Sequence, residues 1–359
     1  MTISSRLLPQ STKRKRLKMK EVKYFDYNAP IELDCGAVLP EVRIAYHTFG
    51  QMNADRSNVI WVCHALTANS DVEDWWEHTV EEGKFLDPTR YFVVCANFIG
   101  SCYGSTGPLS INPATGKPYY NDFPIVTVRD MVRCHRLLAE HLGIDHVRML
   151  IGSSIGGYQC CEWAVQCPDF AERLVLIATL SHSTPWAHAF NESQRMAIEC
   201  DPEFGEPRED AAWKGMATAR SIALLSYRGQ QAYDKTQQDP DATKKITGHR
   251  ATTYQRYQGE KLCRRFNVYS YHRLTHAVDS HNIARGREQS EEELLRSIRS
   301  RTVVIAISSD LLFPADQIEQ MSRLIPNAEY HLIDSDFGHD GFLIEHVKLN
   351  DIIMNVLEN

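Results

Sequence analysis

The residues Gly152-Ser153-Ser154-Ile155-Gly156 follow the apolar run Val147-Arg148-Met149-Leu150-Ile151 and precede a helix-like stretch from Gly157 to Gln166. G-x-S-x-G at a strand-to-helix joint has the form of a nucleophile elbow. Its glycines permit a strained turn, its serine projects above the sheet edge, and the amide after the serine faces a developing oxyanion. Ser154 is the candidate nucleophile and the backbone N–H of Ile155 a candidate oxyanion donor. The bare pattern also occurs in ordinary turns of small residues, so its weight comes from the strand before it and the helix after it.

A serine hydroxyl needs a base, and the base an orienting acid. In sheets of this kind the two follow the serine in the order acid, then histidine, on loops after late strands. Asp310 comes directly after Val303-Val304-Ile305-Ala306-Ile307 and Ser308-Ser309. Asp316, Asp334 and Asp336 are rivals, but none ends so clear a strand. His339 lies in Phe337-Gly338-His339-Asp340-Gly341-Phe342, after the run Tyr330–Ile333; of fifteen histidines it alone falls in the last expected strand–helix loop. A second oxyanion amide is expected after an early strand, where His64-Ala65-Leu66-Thr67 follows Val59–Cys63; the Leu66 N–H fills that place. His64 reads as a structural hydrogen-bonder rather than a second base.

These residues need a scaffold, and the apolar runs supply one. Val59–Cys63, Tyr91–Ala96, Val147–Ile151, Leu174–Ala178 and Val303–Ile307 are short, β-branched and bounded by turn formers, as strands buried on both faces of a parallel sheet are. Arg129–Leu138 is amphipathic and is closed by Gly143, and Gly157–Gln166 stops before Pro168. Strand–helix alternation predicts a doubly wound, mostly parallel α/β sheet of the α/β-hydrolase type. The alternation breaks between about 181 and 300, a polar stretch with helical periodicity near Ala212–Tyr227, Thr252–Phe266 and Ser290–Ser300, the last opened by a Ser290/Glu293 capping box. The expected organisation is a basic, flexible tail over 1–22, core over 23–180, a helical lid over 181–300, and core again over 301–359.

Composition narrows the function further. The chain has 359 residues, 43% hydrophobic and 24% charged, enough for a sizeable core and unlike a disordered protein. No apolar run reaches the roughly 18–20 residues of a membrane span. A net charge of −7 argues against a nucleic-acid binder that works by phosphate neutralisation. The basic cluster Lys13-Arg14-Lys15-Arg16, with Lys18 and Lys20, reads as a solvated tail and has no apolar segment behind it to make a secretory signal. Ten cysteines without C-x-x-C spacing, several inside apolar runs, suit free thiols in a reducing cytoplasm. No H-E-x-x-H or comparable cluster suggests a metal.

Longer strings narrow the reading. CHALTANSDV (63–72), GSCYGSTGPLSINPATGKPY (100–119), FPIVTVRDMV (123–132), ALLSYR (223–228), DSHNIARGR (279–287) and GHDGFL (338–343) resemble the homoserine O-acetyltransferase family, in order, from about residue 25 to 350. The resemblance implies acyl transfer from acetyl-CoA, as co-substrate with no tightly bound cofactor, to the side-chain hydroxyl of L-homoserine, a step toward methionine. It implies Ser154, Asp310 and His339 as the triad, Arg228 on the substrate carboxylate, Asp340 on its ammonium, and a homodimer through the lid. Arg285 and Arg287 are left between CoA phosphates and lid packing; Asp279 and His281 read as lid hydrogen-bonders. A succinyl donor, a serine-type acceptor and a serine esterase remain as alternatives. The chain departs from the family's G-G-S-M-G-G-M with Ser153, Ile155 and Tyr158, and carries Cys160-Cys161 beyond; these changes are expected to reshape the acyl pocket.

Overall fold

The computed structural model describes residues 21–358. The basic cluster of residues 13–20 lies outside them. The central sheet has eight strands: β1 (Lys23–Tyr27), β2 (Val42–Phe49), β3 (Val59–Cys63), β4 (Phe92–Ala96), β5 (Val147–Ser153), β6 (Ala171–Ile177), β7 (Arg301–Ile307) and β8 (Glu329–Ile333). Their spatial order is β1-β2-β4-β3-β5-β6-β7-β8. β1 and β2 run antiparallel to their neighbours, and the strands from β4 to β8 are parallel.

The apolar runs become central strands because both of their faces are covered. In β3, Val59, Trp61 and Cys63 enter the core on one side of the sheet, while Ile60 and Val62 enter the core on the other. Helix α1 (Val128–His141) is opened by a Thr127/Asp130 capping box, and α2 (Ile155–Gln166) starts directly after Ser154. From β3 the chain moves outward to β4 and then returns to place β5 on the opposite side of β3. That reversal opens a crevice above the carboxyl ends of β3 and β5, where ligands bind in open α/β sheets. The loops carrying Leu66 and Ser154 rise from those two ends.

Between β6 and β7 the chain forms six α-helices: α3 (Pro185–Glu199), α4 (Trp213–Tyr227), α5 (Gln230–Thr236), α6 (Arg250–Cys263), α7 (Val268–Asp279) and α8 (Glu291–Arg296). Its two roots are stitched together, with Ser183 N donating to His281 O at 2.8 Å and Ile283 N to Ser181 O at 3.1 Å. The returning segment is pinned to the core by charge. Arg285 pairs with Asp34 at 2.7 Å, Arg287 pairs with buried Glu162, and Arg129 Nε reaches the same carboxylate at 3.1 Å. The arginines of DSHNIARGR therefore bind the protein's own carboxylates, a correction to their candidacy for CoA phosphates. Asp279 bonds Asn191 and Arg195 within the lid, and His281 stacks on Tyr158. Helices α9 (Ala315–Ser322) and α10 (His346–Glu358) complete the core. Among the described residues no helix is long and apolar enough to cross a membrane.

Candidate active site

Ser154 sits at the joint of β5 and α2 with φ 55° and ψ −127°, a left-handed conformation that a serine holds only when its surroundings force it. The glycines around it do the forcing. A Cβ on Gly156 would overlap the Cys63 carbonyl oxygen at the end of β3, and one on Gly157 would overlap the Thr179 side chain. Thr179 Oγ1 in turn donates to the Ser154 carbonyl at 2.8 Å. The elbow is thus pressed between the end of β3 and the segment after β6.

His339 Nδ1 lies 2.7 Å from Asp310 Oδ2, and both side chains are buried. The other Asp310 oxygen, Oδ1, accepts from the amides of Leu312 (2.8 Å) and Phe313 (2.9 Å). The carboxylate is held at both oxygens, so the imidazole has a fixed orientation and a proton on Nδ1. Phe313 stacks on the His339 ring at 5.1 Å and Phe342 meets it edge-on at 5.3 Å. Of the rival acids, Asp334 takes a hydrogen bond from Ser308 and Asp336 pairs with Lys235.

A cavity of about 320 Å³ brings together Ser154, His339, Leu66, Asp340, Tyr227 and Arg220, with Lys261 and Arg265 also on its wall. Leu66 is the second residue of a turn closed by Ala68 N donating to Ala65 O at 3.0 Å. Among the described residues its own N–H has no acceptor, and the Ile155 N–H belongs to the unpaired first turn of α2. His64 is fully buried against Phe98; its Nδ1 donates to the Ala65 carbonyl at 2.8 Å, and burial lowers its pKa to about 4. It is neutral and structural.

The helices between β6 and β7 reach the Ser154 cavity through α4. Gly338 has a φ of +63°, and a Cβ there would overlap the Gly229 nitrogen, so the end of α4 lies against the His339 loop. Arg228 was expected at the substrate carboxylate, but it does not line the cavity. Position 228 is the first residue past the helix, with extended φ −117° and ψ 133°, and its side chain is directed to Asp340 and Tyr254. There its Nε donates to Asp340 Oδ2 at 3.1 Å and its guanidinium lies 5.3 Å from the Tyr254 ring centre. The arginine that α4 brings to the cavity wall is Arg220, whose guanidinium lies over the Tyr227 ring at 5.3 Å and whose Nε is buried without a partner. Arg220 and Tyr227 are seven residues apart, two helical turns, which puts them on one face of α4. That spacing was the available signal for Arg220. Asp340 does line the cavity; burial raises its carboxyl pKa, opposed by Arg228, Arg220 and His339.

The departures from the family pattern lie beneath the cavity. Ser153 ends β5 with a buried hydroxyl that has no partner. Tyr158 points to the lid root, with its hydroxyl 3.3 Å from the His182 carbonyl and its ring stacked on His281 at 4.1 Å. Cys160 and Cys161 are fully buried, and burial pushes both thiols up. None of the four lines the cavity.

The described geometry has relatives. Residues 58–345 match the family model of the alpha/beta hydrolase fold. A homoserine O-acetyltransferase of Cyclobacterium marinum is 42% identical over 330 residues, covering 92% of this chain and 93% of that protein. One from Chlorobaculum tepidum is also 42% identical, over 90% of each chain. Among solved structures, a homoserine O-acetyltransferase from Bacillus anthracis superposes with a TM-score of 0.85 at 25% identity, covering 95% of this chain and 99% of that one. Esterase E22 has the same TM-score at 23% identity, a likeness of fold.

Proposed function

The chain belongs to the homoserine O-acetyltransferases of the α/β-hydrolase fold, and from that membership we propose that it transfers an acetyl group from acetyl-CoA to the side-chain hydroxyl of L-homoserine through an acyl-Ser154 intermediate. The observation that carries the reading is one cavity holding a serine, an aspartate-paired histidine and two opposite charges, Arg220 and Asp340.

His339 Nε2 takes the Ser154 hydroxyl proton while Asp310, bonded to Nδ1, keeps the tautomer and stabilises the imidazolium. Ser154 Oγ attacks the thioester carbonyl, and the Leu66 and Ile155 amides hold the oxyanion. Each such donor contributes on the order of 2.7–4 kcal/mol to lowering the barrier. The tetrahedral species collapses, the C–S bond breaks, and His339 returns its proton to the departing CoA thiolate. Homoserine then enters with its carboxylate on Arg220 and its ammonium on Asp340. His339 removes the hydroxyl proton, the alkoxide attacks the acyl-serine carbonyl, and Ser154 leaves with the proton. Arg228 acts from behind, its guanidinium favouring the ionised form of Asp340.

Water at about 55 M competes for the acyl-enzyme, but a well-oriented alcohol reaches an effective molarity of about 10⁵ M or more. Two charged anchors for an amino-acid zwitterion support transfer over hydrolysis. The reading includes a homodimer through the lid, supported by the exposed Trp186, Met196 and Leu225, and a cytoplasmic setting, supported by ten free thiols.

The test is incubation with acetyl-CoA alone. A stoichiometric burst of thiol, one acetyl group on the Ser154 peptide, and its discharge into O-acetylhomoserine on adding homoserine support the proposal. A burst with succinyl-CoA only would replace the donor. Ester cleavage without thiol release from either CoA ester would overturn the transferase reading.

A further inference from the structure

The turn that carries the Leu66 amide is held from the lid. Arg265 follows α6 and lines the same cavity as Ser154. Its Nη1 donates to the Thr67 carbonyl at 2.5 Å and to the Tyr103 hydroxyl at 2.5 Å, and its Nη2 lies 3.4 Å from Thr67 Oγ1. The backbone of Arg265 is fixed as well: its N–H donates to Leu262 O at 2.9 Å, and its carbonyl accepts from Cys102 Sγ at 3.6 Å.

The rest of the turn is anchored in the core. Ala65 O accepts from Ala68 N and His64 Nδ1. Ser70 N donates to Asn97 Oδ1 at 2.8 Å, and Asn97 Nδ2 reaches the Tyr103 carbonyl at 2.8 Å. Residues 65–70 are therefore held by Asn97 at Ser70, by Trp75 Nε1 at the Asn69 carbonyl (2.8 Å), and from the lid by the Arg265 guanidinium. Thr67 O is the grip nearest the Leu66 amide that the core does not supply. A planar fork with several fixed N–H groups suits such a clamp, and a lysine ammonium does not reproduce it.

We propose that Arg265 is a positioning residue for the oxyanion donor. It ties the lid to the 65–68 turn, so that the Leu66 N–H is aimed only when the lid is seated. The proposal rests on the reading of Leu66 as an oxyanion amide. It gives the lid a part in the chemical step besides roofing the cavity, and places the two oxyanion donors under different control. The Ile155 amide is fixed by the elbow, and the Leu66 amide by Arg265.

Arg265→Ala, Arg265→Lys and Tyr103→Phe, each checked by melting temperature, test it. Steady-state thiol release from acetyl-CoA, p-nitrophenyl acetate cleavage and inhibition by methylboronic acid, whose Ser154 adduct places an oxygen between the donors, are the readouts. Losing one oxyanion donor costs about 10²–10³ in kcat, and an amide misplaced by about 1 Å about 10². Arg265→Ala should lower kcat about 10–100-fold in both reactions and weaken the boronate by a similar factor, with the KM for homoserine within about threefold. Arg265→Lys should recover only part, and Tyr103→Phe, which removes one partner of the clamp, should lose about 3–10-fold. An unchanged kcat, a loss confined to KM, or an unchanged boronate affinity in a folded Arg265→Ala would overturn the proposal; should that variant not fold, the same readouts on the other two decide it. Ester cleavage without acetyl-CoA turnover in the parent protein would refute the transferase reading alone, because the ester and boronate arms would still decide the clamp.

Discussion

Replacing Asp310 by asparagine changes one oxygen for an amide nitrogen, and the surroundings dictate where that nitrogen goes. Oδ1 accepts two buried backbone N–H groups, from Leu312 and Phe313, while Oδ2 faces His339 Nδ1. An NH2 placed at Oδ1 would leave both amides unsatisfied, at about 1–3 kcal/mol each. Even the lower total, about 2 kcal/mol, disfavours that orientation about 30-fold. The NH2 therefore faces His339 and donates to Nδ1, which forces the proton onto Nε2, where the base must accept the one from Ser154. A triad locked in the wrong tautomer loses on the order of 10⁴ in kcat, about 5.5 kcal/mol of barrier. The assay is acetyl-CoA-dependent thiol release in single turnover, beside the rate at which a fluorophosphonate labels Ser154; both should fall together in Asp310→Asn while the melting temperature stays close to that of the parent. A kcat within tenfold of the parent would refute the assignment of Asp310 as the orienting acid.

With Asp340 as the proposed partner of the substrate ammonium, substrate binding is linked to pH. Burial raises its pKa, so the folded chain binds this proton more tightly than the unfolded one; its contribution to stability is present at low pH and lost as pH rises through the interval between the ordinary aspartate value and the raised one. Homoserine binding runs the opposite way, with KM rising on acidification as the carboxylate is neutralised. Asp340→Asn should raise the neutral-pH KM for homoserine about 30-fold and remove that acid limb; a persisting limb would assign it elsewhere. Glu162 is buried and serves Arg129 and Arg287 together. Glu162→Gln should cost about 3 kcal/mol in urea unfolding, because the Arg287 guanidinium loses its counter-charge and Arg129 keeps only the Asp34 carboxylate at 3.7 Å; a loss below about 1 kcal/mol would show that solvent compensates them.

The central strands were legible because burial on both faces leaves an uninterrupted β-branched run, and Ser154 because the elbow needs glycines at fixed offsets. The lead-in strands were not. β1 contains Lys23 and Asp26 at the sheet edge, where one side meets water, and no continuous apolar run marks it. Three lid helices, Pro185–Glu199, Gln230–Thr236 and Val268–Asp279, also escaped. In the first and third of these, Gln194 accepts from the Tyr271 hydroxyl, Arg195 pairs with Asp279 and Ser270 bonds Asn267, and burying such polar residues blurs the apolar stripe that periodicity reads. The predicted Ser290–Ser300 helix stops at Arg296, with Ser297 N already donating to both Glu293 O and Leu294 O. At the site, Arg228 looked suitable by its neighbours in sequence, whereas Arg220 reaches the cavity through helical phase, which a linear string hides. Tyr158 illustrates the converse: its bulk beside the nucleophile in sequence says nothing of direction, and α2 turns it toward the lid root.

The β6–β7 pairing, with Val175 opposite Val303, joins residues about 130 apart, against roughly 24 for the β5–β6 pairing. On loop length alone, closing the longer loop costs about 1.5 kcal/mol more. The stitch between residues 181–183 and 281–283 shortens that search, because a lid that has gathered its own roots delivers β7 to β6. Ser154 precedes this junction in the chain, and Asp310 and His339 follow it. The proposed nucleophile thus lies on one side of the strand pairing that closes the longest loop, and its proposed acid and base on the other. A nascent chain or refolding intermediate with its first six strands paired has a serine without a general base and cannot spend acetyl-CoA on water. In refolding, recovery of thiol release should lag the burial of Trp61 and Trp163; simultaneous recovery would mean that the sheet closes in one step.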